Sequence, residues 1–396
     1  MEYGMGPELE TFRAEVRDFV ATHAPKIPPR AGVRSAENDT EFRALQEWTA
    51  RLFEAGYAGA DWPAEFGGRD DRSAEHAIVV SEELARAAVP GVPSGNALAS
   101  HALIHYGTDE QRRRHLPEIR AGRQQWCQLF SEPGAGSDLA SLRTKAVLDG
   151  DVYTVDGQKV WTTDGHWADY GYLLARTDSD APKHKGISAF VVDMSSPGVT
   201  VRPLRELTGT SDFNEVFLDS VEVSADAMIG SPGQGWAIAN ATLAHERTSV
   251  GAAVVKLRLA IDALVDLARR VTVDGRPAID SDLVRDRIGE FSAEVEALAA
   301  LTYANLTRWL RGTERMHDGA MAKLMFSELN LEMARYAVEL GGAAGVLVEG
   351  DPDVLDGGRW QDEWLYARAY TIAGGSSEIM RNLIAERGLA LPRDRR

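Results

Sequence analysis

The spacing of hydrophobic residues divides the chain into three parts. Residues 7–122 carry apolar side chains every three or four positions, which is the period of an α-helix that buries one face. At about residue 124 this period gives way to short β-branched and aromatic runs separated by Gly, Pro and Asp, and from Trp236 the helical period returns. The pattern predicts an α+β multidomain protein with an N-terminal helical domain (1–123), a middle antiparallel β-barrel or sandwich (124–235) and a C-terminal helical bundle (236–396).

The first part contains several separable helices. The pattern predicts helices over 73–88, 92–106 and 108–121, and a further one after Asp39 and Thr40, either of which could cap it. A segment rich in Gly and Pro at 57–71 interrupts them. His101 and His105 have the i, i+4 spacing of metal ligands, but no third ligand lies nearby in the sequence, so we expect a structural role for both.

The middle part contains two Asp-Gly steps, at 149–150 and 156–157, which are short-range signals for β-hairpins. Trp161 follows them, next to Thr162 and Thr163. The pattern therefore predicts a flat indole surface on a β-scaffold, beside two hydroxyl groups.

A tight turn precedes these strands in the stretch SEPGAGSD, 131–138. Gly134 and Gly136 have no Cβ atom, so backbone N–H groups could approach a ligand closely at this turn. Ser131 and Ser137 supply short polar groups there. The turn by itself is a weak signal, because glycine turns occur in many sheets.

Composition narrows the classes of partner. The 396 residues include 60 acidic and 43 basic ones, giving a net charge of −17, which argues against nucleic acid because phosphate binding needs a basic face. The one cysteine, Cys127, lies among apolar residues and is expected to be a small buried side chain in a reduced, cytoplasmic protein. No apolar run approaches the roughly 18 residues that span a membrane, and no signal-peptide pattern begins the chain.

One carboxylate lies where the helical period of the third part requires a buried apolar residue. Leu243, Val250, Val254 and Leu257 keep a spacing of three or four, and the missing member of the series is Glu246. Burial there would raise the pKa of Glu246, as expected of a general base that works near neutral pH. An ion pair with a basic residue of another element is the alternative interpretation, and the spacing alone leaves both open.

Three motifs together resemble the acyl-CoA dehydrogenase family of flavoproteins: SEPGAGSD at 131–138, GQKVWTT at 157–163 and GGSSEIMRNLIAERGL at 374–389. The resemblance extends through nearly the whole chain and implies the same three-domain architecture. It also implies FAD-dependent α,β-desaturation of an acyl-CoA thioester in fatty acid β-oxidation, electron transfer to an electron-transferring flavoprotein, and a homotetramer or a mixed tetramer with a paralogue.

The position of the catalytic base separates branches of this family. Most members carry it in a terminal motif that ends in EGT, where this chain has Gly374, Gly375 and Ser376. The isovaleryl-CoA and long-chain branches carry it on the long helix, immediately before an arginine, and Glu246 and Arg247 match that pattern. The resemblance therefore makes Glu246 the candidate base.

The same resemblance assigns the other site residues. The backbone N–H of Gly374 would polarise the thioester carbonyl, and substrate contacts would come from Ser137, Arg247 and Gly375. The isoalloxazine ring would be lined by Phe130, Ser131, Trp161 and Thr163. The FAD of a neighbouring subunit would be held by Val338, Gly341, Gly342, Ser376 and Glu378, with Arg270 at its pyrophosphate. Asp274 stands where the family usually has an aromatic residue, so the alignment is poorest near Arg270.

Three alternatives stay open at this stage. The first is a flavin-dependent oxidase or monooxygenase of the same fold, against which Glu246 and Ser137 argue. The second is one subunit of a heteromeric dehydrogenase, in which this chain would be the active partner. The third is a desaturase of an acyl group bound to a carrier protein. A base on the long helix leaves space near Gly374, which suggests a branched or bulky acyl chain.

Overall fold

The computed structural model describes residues 6–27, 30–32, 34–245 and 250–393. Its N-terminal part is helical: α1 (Gly6–His23), α2 (Asp39–Glu54), α3 (Ala74–Arg86), α4 (Ser94–Tyr106) and α5 (Asp109–Arg120). The helices predicted over 73–88, 92–106 and 108–121 are confirmed to within two residues at each end. Their buried faces form the N-terminal core around Val16, Trp48 and Val79.

Two local features of this part concern the start of α2 and the histidines of α4. The cap of α2 is Asn38, not Asp39 or Thr40, because Asn38 has extended backbone (φ −157°) and its side chain accepts a hydrogen bond from the N–H of Glu41. Asp39 is already the first helical residue. His101 and His105 pack ring against ring at 4.3 Å. Among the described residues, no group of three or more His, Cys, Asp or Glu side chains could hold a metal ion.

The middle part is a sheet in the strand order β6-β7-β3-β2-β4-β5-β8, with β1 beside β4. The strands are β1 (Trp126–Leu129), β2 (Lys145–Asp149), β3 (Val152–Thr163), β4 (Tyr170–Arg176), β5 (Ile187–Asp193), β6 (Val199–Leu204), β7 (Phe213–Ser224) and β8 (Met228–Ile229). Most pairs are antiparallel as predicted, but β1 and β2 each pair with β4 in parallel. The long connections that precede β4 permit these parallel pairs.

The two Asp-Gly steps have different positions in the sheet: one forms a hairpin turn and the other lies within a strand. The step at 149–150 joins β2 to β3 in the predicted hairpin, with Gly150 at φ +63° and Asp149 paired with Val152. The step at 156–157 was expected to be a second hairpin and is not, because β3 continues past it along β7 with a register shift between Val155 and Gly157. A Cβ atom at Gly157 would lie 2.3 Å from Thr144 Oγ1, so glycine permits this close approach.

The C-terminal part is helical again. Its elements are α6 (Gly235–His245), α7 (Val250–Arg270), a small hairpin of β9 (Thr272–Val273) and β10 (Arg276–Pro277), α8 (Asp282–Leu310), α9 (Asp318–Leu340), α10 (Arg359–Ile372) and α11 (Ser377–Leu383). Leu257, Phe291, Leu298 and Met333 lie in the core between α7, α8 and α9. Among the described residues, no helix has the length and apolar character needed to cross a bilayer.

Candidate active site

Trp161, near the end of β3, combines an unusual backbone conformation with an exposed side chain. Its backbone is in the left-handed region (φ +61°), and its side chain is 61% exposed. The only ring contact described for the indole is an edge contact with Phe213, at 6.0 Å between centroids. A bulky residue in this backbone region is strained and persists only where the surrounding structure enforces it. The pairing of β3 with β7 shifts register at this point, between Lys159 and Thr162.

The residues next to Trp161 alternate between the surface and the interior. Thr162 is fully buried, and its carbonyl accepts a hydrogen bond of 2.9 Å from Asn214 Nδ2. Thr163 is part-exposed, so Trp161 and Thr163 are the two accessible side chains at this end of the strand. The predicted flat surface therefore has one accessible threonine beside it rather than two.

The predicted ring-lining residues Phe130 and Ser131 lie alongside β3. The carbonyl of Ser131 accepts a 2.9 Å hydrogen bond from the N–H of Val160, so this segment is fixed directly to the strand that carries Trp161. Ser131 is part-exposed, whereas Phe130 is 3% exposed and packs edge-on against Tyr172. The structure thus places the Phe130 side chain behind the surface and Ser131 on it.

The glycine turn follows immediately. Glu132 and Ala135 close it with a pair of backbone hydrogen bonds of 3.1 and 3.0 Å. A Cβ atom at Gly134 or Gly136 would meet no atom within 4 Å, and Ser137 is exposed. The turn therefore faces open space, which a ligand could occupy.

A buried ion pair beneath these segments was not predicted from the sequence. Lys159 has no exposed surface, and its Nζ lies 2.9 Å from Glu132 Oε1 and 3.0 Å from the carbonyl oxygen of Phe130. Glu132 also accepts hydrogen bonds from the backbone N–H groups of Arg143 and Thr144, at 2.6 and 2.9 Å. Both residues stand inside the motifs quoted above, but a single lysine in a strand gives no sign that it points inward.

The surroundings shift the pKa values of both members of this pair. Burial lowers the pKa of Lys159 to about 8, although the carboxylate of Glu132 opposes that shift. Burial alone would raise the pKa of Glu132, but the ammonium of Lys159 and the hydrogen bonds from Thr144 and Arg143 outweigh it and lower the pKa. Glu132 is therefore ionised at neutral pH.

Arg34 and Ser35 connect the end of β3 to α10. The Ser35 hydroxyl donates to Asp164 Oδ1, three residues after Trp161. Arg34 donates to Asp212 Oδ2 at 3.0 Å and to Asp362 Oδ1, on α10, at 2.6 Å. Burial raises the pKa of Asp164, and the hydrogen bond from Ser35 opposes this shift. These contacts join the strand that carries Trp161 to the helix that ends just before Gly374, and the sequence pattern did not reveal them.

Gly374 and Gly375 form the turn between α10 and α11. Both have positive φ, at +65° and +95°, and a Cβ atom at Gly375 would lie 2.3 Å from Met380 Cε, whereas one at Gly374 would meet nothing within 4 Å. Lys323 on α9 donates to the Gly375 carbonyl at 2.6 Å and fixes the turn. A side chain at Gly374 would therefore meet open space, although the positive φ would strain any residue other than glycine.

The residues predicted to hold a neighbouring subunit's FAD lie at the ends of α9 and α11. Ser376 caps α11, and its side chain accepts from the N–H of Ile379 at 3.4 Å. Glu378 is exposed, and hydrogen bonds from its own N–H and from Ser376 lower its pKa. Val338 is buried on α9, and Gly341 and Gly342 follow at the end of that helix.

Arg270, the predicted pyrophosphate ligand, is the last residue of α7. Its Nη2 donates to Asp356 Oδ1 at 2.6 Å, and its Nε donates to the carbonyl of Asp266 at 3.1 Å. The side chain is 51% exposed, so it is accessible from solvent although it already has an anionic partner.

Glu246 and Arg247, the predicted base and its neighbour, lie outside the described residues. The flanking apolar series is only partly as expected. Val254 and Leu257 are buried, but Leu243 is 40% exposed, because α6 presents it on an outer face of the single chain. The prediction that Leu243 belongs to a buried stripe is therefore wrong for this chain on its own.

Comparison with known proteins identifies the family. Three family models match: the acyl-CoA dehydrogenase N-terminal domain over residues 6–123, the middle domain over 127–221 and the C-terminal domain over 233–389. The chain is 39% identical to the acyl-CoA dehydrogenase IpdE1 of Mycobacterium tuberculosis, over 98% of this chain and 99% of that protein.

Solved structures give the same result. The structure of the Tcur3481-Tcur3483 steroid ACAD matches with a TM-score of 0.89 and 29% identity, covering all of both chains. The ChsE4-ChsE5 complex from Mycobacterium tuberculosis matches with a TM-score of 0.86 and 30% identity, again covering all of both chains. The chain therefore belongs to the acyl-CoA dehydrogenase family, whose members are oxidoreductases that generally depend on FAD.

Proposed function

We propose that this chain uses FAD to introduce an α,β double bond into an acyl-CoA thioester. The observation that carries the proposal is the exposed indole of Trp161, held on strained backbone beside Thr163 and Ser131. The indole is a large apolar ring that buries little surface on folding, and hydroxyl groups flank it. Such a surface fits the edge of a planar ring system that carries polar atoms. Bound FAD would supply a two-electron acceptor for the hydride that leaves the substrate β-carbon.

The residues of this chain would have separate tasks. Ser131 and Thr163 would donate hydrogen bonds to the polar edge of the flavin, and Trp161 would pack against it. Glu246 removes the α-proton of the substrate, and Arg247, next to it, contacts the substrate. The roles of both rest on the sequence pattern of the long-helix branches of the family.

The turn at Gly374 would polarise the thioester carbonyl. Its N–H is a backbone group, so the absence of a side chain there does not remove the hydrogen bond. Lys323 supports this role, because its bond to the Gly375 carbonyl holds the turn in one orientation. A carbonyl polarised in this way makes the α-proton acidic enough for a carboxylate base to remove.

The substrate would be a CoA thioester with a branched or bulky acyl group. Open space over Gly134 and Gly136 leaves room for the pantetheine or phosphate portion, with Ser137 as a contact. Open space at Gly374 leaves room for bulk next to the reacting carbons. One structural relative is named as a steroid enzyme, which agrees with a bulky acyl group.

The electron acceptor would be an electron-transferring flavoprotein, and the active unit a tetramer in which Val338, Gly341, Gly342, Ser376, Glu378 and Arg270 hold FAD of a neighbouring subunit. A mixed tetramer with a paralogue is the favoured form, because each of the two structural relatives described above is named after two proteins. This chain would be the active partner. We expect the complex in the cytoplasm.

The experiment that tests the proposal is an anaerobic visible spectrum of the purified protein, before and after addition of a panel of straight, branched and ring-containing acyl-CoA thioesters. Bleaching of bound flavin by one of them is the expected result. A flavin that stays oxidised with every CoA thioester, but bleaches with a carrier-protein thioester or an amine, would reject the CoA-linked substrate. If the chain purifies without flavin, the measurement is repeated after co-expression with a paralogue, and absence of flavin there rejects the proposal.

A further inference from the structure

The Lys159–Glu132 pair lies directly beneath the surface on which the flavin would rest. The two side chains are 0% and 8% exposed, and no water can reach the ammonium group. A buried ion pair of this kind gives little net stability, because removing both charges from water costs about as much as their attraction returns. Its presence therefore calls for an explanation other than stability.

The contacts of the pair suggest what it does. Lys159 belongs to β3, two residues before Trp161, and its Nζ binds both the carbonyl of Phe130 and the carboxylate of Glu132. The neighbouring backbone bond, from the N–H of Val160 to the carbonyl of Ser131, lies on the same pair of segments. Three hydrogen bonds thus hold the segment that carries Ser131 against the strand that carries Trp161.

On the far side, Glu132 is held by two further donors. The N–H groups of Arg143 and Thr144 bind its two carboxylate oxygens, and both residues lie just before β2. The carboxylate therefore joins the glycine turn to the start of β2, while Lys159 joins it to β3. Substitution of either side chain would break one of these links to the turn. It would also leave the charge of the other side chain without its partner.

We propose that Lys159 and Glu132 are positioning residues that fix the distance and orientation between Ser131 and Trp161, and thereby preorganise the flavin-binding surface. The inference rests on the proposed function, since it takes this surface to bind FAD. Both side chains are buried beneath that surface. They act through the backbone of Phe130 and Ser131 and through the strand that carries Trp161.

The test compares Lys159→Met with the double variant Lys159→Met/Glu132→Gln. The single variant leaves the Glu132 carboxylate buried without its partner. The double variant removes both charges and keeps an amide oxygen that can accept from the N–H groups of Arg143 and Thr144, so it should fold better than the single variant. Asp318→Asn, which breaks another largely buried pair, with Arg308 on the C-terminal helices, is the matched control for general destabilisation. Three quantities are measured: the Kd of the apoprotein for FAD, the fine structure of the bound flavin's visible spectrum and the reduction potential of the bound flavin.

We expect both variants at 159 to bind FAD at least tenfold more weakly than the wild-type protein, with a less resolved visible spectrum, and Asp318→Asn to bind FAD normally. Removal of Lys159 also removes the charge that most lowers the pKa of Glu132, so the reduction potential is measured at high pH, where the carboxylate is ionised. It should fall there in Lys159→Met and return toward the wild-type value in the double variant. A purely structural role would not move the potential in this way.

A double variant with wild-type FAD affinity and spectrum would overturn the inference, as would an unchanged potential in Lys159→Met. Failure of the proposed function would look different, because the wild-type protein would then not bind FAD or its flavin would not bleach. If Lys159→Met does not fold, the double variant alone decides the question through its affinity and spectrum.

Discussion

Arg270 Nη2 lies 2.6 Å from Asp356 Oδ1, so the arginine predicted to bind pyrophosphate already has an anionic partner within its own chain. Asp356 also accepts a hydrogen bond of 2.9 Å from Trp360 Nε1 and has its backbone in the left-handed region, at φ +49°. Because the Arg270 side chain is half exposed, this ion pair is worth only about 0–1 kcal/mol. A pyrophosphate carries more charge than one carboxylate and could displace it.

The first prediction concerns this competition. Asp356→Asn should free Arg270 and tighten FAD binding a few-fold, whereas Arg270→Met should weaken it about tenfold or more, since a charge-assisted hydrogen bond contributes roughly 1.5–3 kcal/mol. The measurement is the Kd of the apoprotein assembly for FAD. Arg269→Met is the matched control, because Arg269 pairs with Asp266 and is also highly exposed. Equal affinity in Arg270→Met and the wild-type protein would remove Arg270 from the candidate site.

The local sequence was a good guide where local physics decides the structure. The helical period located α3, α4 and α5, and the Asp149-Gly150 step marked a true hairpin, because each depends on neighbours in the sequence. The hairpin prediction failed at Asp156-Gly157, where pairing of β3 with the distant β7 overrides the turn signal. It could not distinguish Asn38 from Asp39 as a cap, since both residue types suit that position.

The candidate site shows the same division. The motifs that carry Ser131, Trp161 and Gly374 were visible in the sequence, and so was the family. The pairing of Lys159 with Glu132 joins residues 27 positions apart, and that of Arg34 with Asp362 joins residues 328 apart. Such contacts depend on how the strands and helices pack, which no spacing rule for a single element encodes.

The second prediction concerns the base. Glu246→Gln keeps the size and shape of the side chain but removes its ability to accept a proton at neutral pH. We expect the protein to bind flavin as before and turnover to fall by about 10²–10⁴, the usual cost of losing a positioned base. The measurement is the anaerobic rate of flavin bleaching by the best thioester substrate.

Glu294→Gln is the control for this experiment, because Glu294 is an exposed residue of α8. A bleaching rate in Glu246→Gln within a few-fold of the wild-type rate would show that another group removes the α-proton. Gly374→Glu in the same background then asks whether a carboxylate at the position that matches the EGT motif can restore the rate. A side chain there meets open space, but the φ of +65° strains any residue other than glycine, so we expect at most partial recovery.

The third prediction concerns pH and the packing of α1 on α3. Glu83 is buried on α3, and its carboxylate accepts from Arg13 Nη1 at 2.9 Å and from Arg17 Nε at 3.0 Å. Burial alone would raise the pKa of Glu83, but these arginines outweigh it and lower the pKa below its ordinary value. The unfolded chain, with a pKa of about 4.3, therefore binds more protons than the folded chain in this window.

The free energy of opening α1 should consequently be constant near pH 7 and fall as the pH drops below about 4.3, through the folded-state pKa. Amide hydrogen exchange of α1 between pH 7 and pH 3, corrected for intrinsic rates, measures this free energy. Glu83→Gln should lower the free energy of opening α1 by about 1–3 kcal/mol already at pH 7. It should also make that free energy depend less on pH in the acid range. Glu8→Gln, at an exposed position of α1, should behave like the wild-type protein, and an equal acid dependence in Glu83→Gln would contradict the assignment.

The fourth prediction concerns the strained backbone of Trp161. A bulky side chain at φ +61° costs of order 1–3 kcal/mol, and with 61% of its surface exposed the indole recovers little of that cost by burial. Asparagine tolerates the left-handed region far better. Trp161→Asn should therefore leave the stability of the apoprotein unchanged or raise it by up to about 1 kcal/mol, as judged by urea unfolding.

The same substitution should weaken FAD binding about tenfold, because the aromatic contact with the ring edge contributes roughly 0.5–1.5 kcal/mol beyond the area it buries. Trp309→Asn, at a part-buried position of α8, is the control, since it should destabilise the apoprotein and leave FAD affinity unchanged. Opposite effects on stability and affinity at position 161 are the signature of strain retained for binding. If Trp161→Asn instead lowers apoprotein stability and leaves FAD affinity intact, the exposed indole serves packing and the surface beside it is not the flavin site.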